Sequence, residues 1–285
     1  MIGLIDIGGT KLLVGVTAAG GSIARSVRRS TPRSGDMVAT LAEMLDEVRH
    51  GQPLDAIAAA APGPFERATG VLLDPPGLSG DWHRLELAAP LRERFGCRVL
   101  VENDANCAAL AEAHLGAGRG AAILMYYTVS TGIGSGVVRD GRLETGRQDT
   151  EGGHQVLWPG RAGGPVCDCG GVGCLETIAS GRAIERRFGR PAEEIEDQAV
   201  WDEVGDWLGL AVVNATALLD CDCVVFGGGV ASARWARIEP ALRAAVDRHL
   251  KLQKPPRISV AELGEDRNLA GALLLLQVPE HGPQH

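Results

Sequence analysis

Hydrophobic and polar positions along the chain switch between two periods. Met1–Ile7 is almost wholly apolar, as a buried strand requires. "GGT" turns the chain, and Leu12–Thr17 returns as a second strand. "AAGG" predicts a further turn into a third strand, completing a β-meander. From Asp36 to His50 the period becomes helical, with Met37, Leu41, Leu45 and Val48 on one stripe. "LDAIAAAAPGP" reads as a short strand running into a Pro/Gly loop. "CRVLVENDANCAALAEAHLGAG" reads as strand (Val99–Val101), loop and helix, with Asn103 or Asp104 set to cap a helix ending near Gly116.

After Gly116 the pattern restarts. "AAILMYYTVSTGIGSGVVRDGRLE" predicts a second meander, with a hairpin turn at Asp140-Gly141. "VVNATALLDCDCVVFGGGVASARWARIEPALRAAV" then predicts helix, strand, glycine turn and helix. Two meanders, each followed by α/β units, imply a duplicated α/β fold with a cleft between its halves. The expected division is a first lobe over 1–116 and a second over 117–285, placed where "HLGAGRGA" relaxes the apolar pattern. "NLAGALLLLQ" predicts a closing helix that returns to the first lobe, followed by a frayed polar tail.

Composition narrows the function classes. A net charge of −8 gives a nucleic-acid partner no electrostatic support. No basic leader precedes an apolar run, and no apolar stretch approaches the roughly 20 residues of a membrane helix. Seven cysteines, unevenly spaced, suit a reducing cytoplasm better than a disulfide framework.

Three glycine-bearing turns follow predicted strands: "DIGGTK" (6–11), "STGIGSG" (130–136) and "GGGVA" (227–231). Each alone reads as a tight hairpin or turn. At strand ends in both halves of a duplicated fold, they also suit backbone N–H groups aimed at phosphate oxygens. No GxxxxGK[ST] P-loop is present, and "GIGSGV" is followed by strand and hairpin, not the helix of a dinucleotide fingerprint. Asp6, at the end of a buried strand beside the first loop, is placed to hold Mg2+ directly or through water. In "ENDANCAALAE", one of Asn103 and Asp104 can cap the helix while the other serves as a proton acceptor, kept ionised by the helix dipole.

"CDCGGVGC" sets Cys167, Cys169 and Cys174 at C-x-C-x4-C spacing. A redox pair is more typically C-x-x-C, and a disulfide would leave one thiol unpaired. Three thiolates with His154, the nearest histidine upstream, make a closed Cys3His set for structural Zn2+. Glu151 and Glu176 flank this set; they are either surface acids or groups that hydrogen-bond sugar hydroxyls. Cys97, Cys107, Cys221 and Cys223 read as core.

These motifs, in this order along essentially the full chain, resemble the ROK family of repressors, open reading frames and sugar kinases. "CDCGGVGCLE" preceded by "EGGH" is similar to the family's zinc signature. The resemblance implies an actin-like, ribonuclease-H-like duplicated fold with ATP in the cleft. It implies that Asp104 is the catalytic base and that Asn103, Asp104, Glu151, His154 and Glu176 contact the sugar, with Gly63 behind it. Asp6, Gly8, Gly9, Thr10, Lys11, Thr131 and Gly132 would handle Mg2+-ATP, and Gly228 and Gly229 the adenosine. The implied reaction is ATP-dependent phosphorylation of a hexose, commonly at the 6-hydroxyl, by a homodimer. Ser130 and Ser135 stand where the family often has glycine, Ala60 replaces a frequent glycine, and Gly77 sits where many glucose-specific members carry asparagine. These departures weigh against glucose specificity; glucose is kept as the default acceptor, and N-acetylmannosamine, N-acetylglucosamine, mannose, fructose or an unacetylated amino sugar such as kanosamine are alternatives. The family's repressors carry an N-terminal helix-turn-helix, for which a strand beginning at Met1 leaves no room. A catalytically idle sugar-binding protein is the remaining alternative.

Overall fold

Alternation along β1 (Ile2–Ile7) sends Leu4 to one buried face and Ile5 and Ile7 to the other, so the strand is apolar on both faces up to Asp6 near its end. This computed structural model describes residues 1–18, 21–67, 69–75, 77–146, 148–158 and 164–278. The centre of the expected "AAGG" turn, Pro76, part of the His154–Cys167 spacer and the polar tail lie outside the described residues.

β2 (Lys11–Thr17) and β3 (Ile23–Ser30) complete the first antiparallel meander. α1 (Met37–Arg49) buries all four stripe residues, and its N-terminus is capped by Asp36, which accepts the Ala39 N–H at 2.8 Å. β4 (Ala56–Ala61) runs parallel to β1. Its alanines keep both faces thin: Ala59 and Ala61 pack towards Met37 and Leu41, while Ala58 and Ala60 join Leu4 in a second cluster.

Three short strands, β5 (Phe65–Glu66), β6 (Val71–Leu72) and β7 (Leu85–Glu86), form a separate antiparallel sheet. α2 (Ala88–Phe95) leads into β8 (Arg98–Asn103), which pairs in parallel with β4 and gives a five-stranded sheet of order β3-β2-β1-β4-β8. α3 (Asp104–Leu115) starts where β8 ends.

The second half repeats this plan. β9 (Ile123–Val129), β10 (Ile133–Arg139) and β11 (Arg142–Leu143) form the second meander, and Asp140 and Gly141 both take positive φ at its hairpin turn. Next come α4 (Glu176–Ala179), α5 (Gly181–Phe188), α6 (Gln198–Leu219), β12 (Cys223–Gly227), α7 (Gly229–His249) and β13 (Arg257–Val260). The sheet order, β11-β10-β9-β12-β13, matches the first: an antiparallel meander followed by two parallel strands. This is the duplicated ribonuclease-H-like topology that the resemblance implies. The closing helix, α8 (Arg267–Leu275), packs Leu269, Ala272 and Leu273 against Leu4, Leu13, Ala58 and Ala60.

Two compact units result: Met1–Ala111 with the stretch from Glu265 onward, and Glu112–Gly264. The division falls within α3, ahead of the Gly116 boundary read from composition. A buried carboxylate explains why Glu112 groups with the second unit. It accepts N–H bonds from Ala117 (2.8 Å), Leu263 (2.9 Å) and Glu262 (3.2 Å), tying the end of α3 to the loop after β13. Among the described residues, no helix is long and apolar enough to cross a membrane.

Candidate functional site

In the first unit the turn between β1 and β2 is pinned from three directions. The Gly8 N–H donates to the Lys11 carbonyl at 3.0 Å, the Thr31 hydroxyl donates to the Gly8 carbonyl at 2.6 Å, and the Thr31 N–H donates to the Thr10 carbonyl at 3.1 Å. Gly9 and Thr10 are left exposed at the tip. Lys11 pairs with Glu265 at 3.2 Å, a carboxylate that Arg28 also engages.

Asp6, half-buried, accepts from the Asn268 amide at 3.0 Å. Desolvation pushes its pKa up; the Asn268 bond, Arg267 and Lys11 pull it down, and Asp266 pushes it up. A carboxylate so withdrawn from water gains most from a bound cation, and that chemistry fits Mg2+.

At the junction of β8 and α3, the Asn103 side chain is the N-cap: Oδ1 accepts from Ala105 N–H at 2.8 Å and Asn106 N–H at 3.3 Å. Its position is held from behind by Glu102, which is buried. Glu102 accepts two bonds from Arg67 (2.9 and 3.1 Å), one from the Asn103 N–H (2.7 Å) and one from the Asn106 amide (2.9 Å). Asp104 is the first residue of α3, half-buried, at the positive end of the helix dipole. A Cβ added at Gly63 would come within 3.0 Å of the Asn103 amide nitrogen, so this glycine lies against the cap.

In the second unit, one donor atom from each of His154, Cys167, Cys169 and Cys174 falls within 4.8 Å of the others. Cys169 and Cys174 sulfurs are 3.7 Å apart, and Cys167 Sγ is 3.5 Å from His154 Nδ1. Tetrahedral Zn2+ with bonds of about 2.3 Å to sulfur and 2.0 Å to nitrogen needs separations of about 3.8 and 3.5 Å. The donor set fits the ion in number, type and spacing. Burial pushes the Cys167 thiol up and the Cys174 thiol to about 12, whereas the Gly171 N–H lowers Cys169.

With Nδ1 on the sulfur side, His154 Nε2 points the other way and lies 3.9 Å from Glu151 Oε2. Burial raises the Glu151 pKa, His154 lowers it, and Asp149 and Glu176 raise it. Glu176, heading α4, accepts the Ile133 N–H at 2.8 Å. Gly132 lies against this carboxylate: a Cβ would stand 2.6 Å from that Glu176 oxygen and push it aside.

The Ser130 and Thr131 carbonyls accept from Gly181 (2.7 Å) and Arg182 (3.1 Å), fixing the loop on α5. Gly228 takes φ of 88° between β12 and α7, where a Cβ would overlap the Val129 carbonyl. Gly229 opens α7, whose first N–H groups have no partner within the helix.

The ROK family model matches residues 2–278. The chain belongs to the ROK family. The chain is 33% identical to a glucokinase of Thermotoga maritima, over 96% of both chains, and 34% identical to an N-acetylmannosamine kinase of Escherichia coli, over 96% of this chain and 97% of the other. Among solved structures, the ROK hexokinase of Thermus thermophilus superposes with a TM-score of 0.82 at 34% identity, covering 97% of this chain and 98% of that one. A ROK glucokinase of Streptomyces griseus, solved with glucose and AMPPNP, gives 0.78 at 27% identity, covering 95% and 97%.

Thus Asp6, Gly8–Lys11, Gly63, Asn103 and Asp104 belong to the first unit, and Glu151, His154, Glu176, the three cysteines, Thr131, Gly132, Gly228 and Gly229 to the second. Two contributors lie outside the motifs read in the sequence: Asn268 on Asp6, and Arg67 behind Asn103. Glu102 and Ser135 lie within quoted motifs, but their partners were not legible there.

Proposed function

We propose that this ROK protein is an ATP-dependent sugar kinase that phosphorylates a hexose, with glucose as the default acceptor and the 6-hydroxyl as the position attacked. The observation that carries the reading is Asp104, a carboxylate at the first residue of α3 beside a cap held by Glu102. Full-length similarity to named sugar kinases supports it.

Asp104 takes the proton from the acceptor hydroxyl as its oxygen attacks the γ-phosphorus in line. The bond to the β,γ-bridging oxygen breaks and ADP leaves. Gly8–Lys11, Thr131 and Gly132 cradle the phosphates, and Gly228 and Gly229 lie near the adenosine. Asp6 would hold Mg2+, directly or through water, and the ion would supply positive charge against the phosphates. Gly63, Asn103, Glu151, His154 and Glu176 bind the sugar. Zn2+ on His154, Cys167, Cys169 and Cys174 is structural, since four protein donors leave no open position. None of the seven cysteines is in a disulfide, which supports a cytoplasmic enzyme. A homodimer rests on the family resemblance alone.

An amino-sugar acceptor is the second reading. It is favoured by Gly77, where a Cβ would meet nothing within 4 Å, and by the N-acetylmannosamine kinase relative. A coupled ADP-release panel over glucose, mannose, fructose, N-acetylmannosamine, N-acetylglucosamine and kanosamine decides between them. Asp104→Asn should lower turnover by about 100-fold or more while sugar binding survives. ADP release that ignores every sugar, or full turnover in Asp104→Asn, overturns the proposal.

A further inference from the structure

We infer that Ser135 is a positioning residue for the sugar, its hydroxyl fixing the backbone of Glu151 by bridging the two peptide groups that flank it. The inference rests on the proposed role of Glu151 as a sugar contact.

Along β10, Ile133, Ser135 and Val137 share one face, and the two apolar residues belong to the core of the second unit. Ser135 is 2% exposed between them. A hydroxyl at such a position costs free energy unless its donor and an acceptor site are used. Both are. The Ser135 hydroxyl donates to the Thr150 carbonyl at 2.7 Å and accepts the Gly152 N–H at 2.7 Å.

The Thr150 carbonyl belongs to the peptide group before Glu151 and the Gly152 N–H to the one after it. One oxygen therefore closes a ring around the Glu151 Cα, whose φ of −103° and ψ of 58° belong to neither helix nor strand. The Glu151 carbonyl is engaged as well, accepting the His154 N–H at 2.9 Å. Among the described residues the Glu151 side chain, half-exposed, has only the 3.9 Å approach of His154 Nε2. Its direction follows from its backbone, and its backbone follows from Ser135. The packing is equally close: a Cβ at Gly152 would stand 2.8 Å from Ser135 Oγ. A residue without a hydroxyl at position 135 would leave both peptide groups without this partner.

The test uses the full chain with D-glucose and N-acetylmannosamine as probes. Ser135→Ala, Ser135→Thr and Glu151→Gln are compared singly, and Ser135→Ala is also combined with Glu151→Gln. Sugar KM, ATP KM, kcat and bound zinc are measured for each. Ser135→Ala should raise sugar KM about five- to tenfold, leaving ATP KM and zinc content unchanged, while Ser135→Thr stays within about twofold of the parent. The double variant should be no worse than Glu151→Gln alone. Ser135→Cys, close in size but a weaker hydrogen-bonding group, should fall between parent and Ser135→Ala; it serves if Ser135→Ala does not fold.

A parental sugar KM in Ser135→Ala or Ser135→Cys, with a raised one in Glu151→Gln, removes the role of Ser135 and leaves that of Glu151 standing. A parental KM in Glu151→Gln removes both. Equal rises in sugar and ATP KM, or lost zinc, mark Ser135 as structural only.

Discussion

The amide of Asn268, near the start of the closing helix, donates to the carboxylate of Asp6, at the end of the opening strand, at 3.0 Å. This bond orients the carboxylate assigned to Mg2+. Asn268→Ala should raise the KM for Mg2+-ATP about tenfold, the size expected for a hydrogen bond to a charged group, and leave the sugar KM within about twofold. Steady-state kinetics with ATP and sugar varied separately check this.

Asp6 also makes a pH prediction. Its folded pKa lies above that of the unfolded chain because burial disfavours the charge. The folded state therefore holds its proton more tightly, and this contribution to stability is lost as pH rises through the folded pKa. Asp6→Asn should raise Tm at pH 7 without Mg2+ or nucleotide. The gain should shrink as pH falls towards about 3.9, the ordinary aspartate value. Thermal melts across that range test the sign; a variant less stable at pH 7 contradicts it.

The zinc set predicts proton-coupled loading. Cys167 and Cys174 are held protonated by burial in the metal-free loop, so taking up Zn2+ must displace those protons. Chelator-driven loss of zinc should accelerate as pH falls, which a zinc-sensitive dye can follow. Removing zinc, or Cys169→Ser, should weaken sugar binding and loosen the 151–176 segment. An unchanged sugar KM in zinc-free protein would separate the metal from recognition.

Glu112 predicts a stability effect without a catalytic one. Glu112→Ala leaves three backbone N–H groups without their acceptor and should cost about 3 kcal/mol or more. Urea unfolding measures this, and the KM values of the folded fraction should stay near those of the parent.

What could be read in advance was local. Strand alternation, the stripe of α1 and the C-x-C-x4-C spacing all operate over a few residues, and the strands, α1 and the donor cluster stand as they imply. Asn103 and Asp104 were equal candidates for the cap in the sequence; in the structure both side chains accept from the Ala105 N–H at 2.8 Å, and Asn103 also accepts from the Asn106 N–H at 3.3 Å. The groups that escaped notice act across distance in the chain. Asn268 meets Asp6, and Glu112 meets Leu263. A lone polar residue carries no periodicity that names its partner, so such pairs emerge only when the sheets assemble. Ser135 differs, since a hydroxyl amid core positions already demands a partner without saying which.

The discontinuity of the first unit sets an order of events during synthesis. Glu112–Gly264 is contiguous and can complete its core as soon as it leaves the ribosome. The first unit emerges earlier, yet Leu4, Ala58 and Ala60 await Leu269, Ala272 and Leu273, and Asp6 awaits Asn268. The earliest strand to be made is thus among the last to be finished. A nascent chain halted before α8 carries an uncovered apolar sheet face and an unoriented Asp6, so the first unit matures only once translation has passed α8.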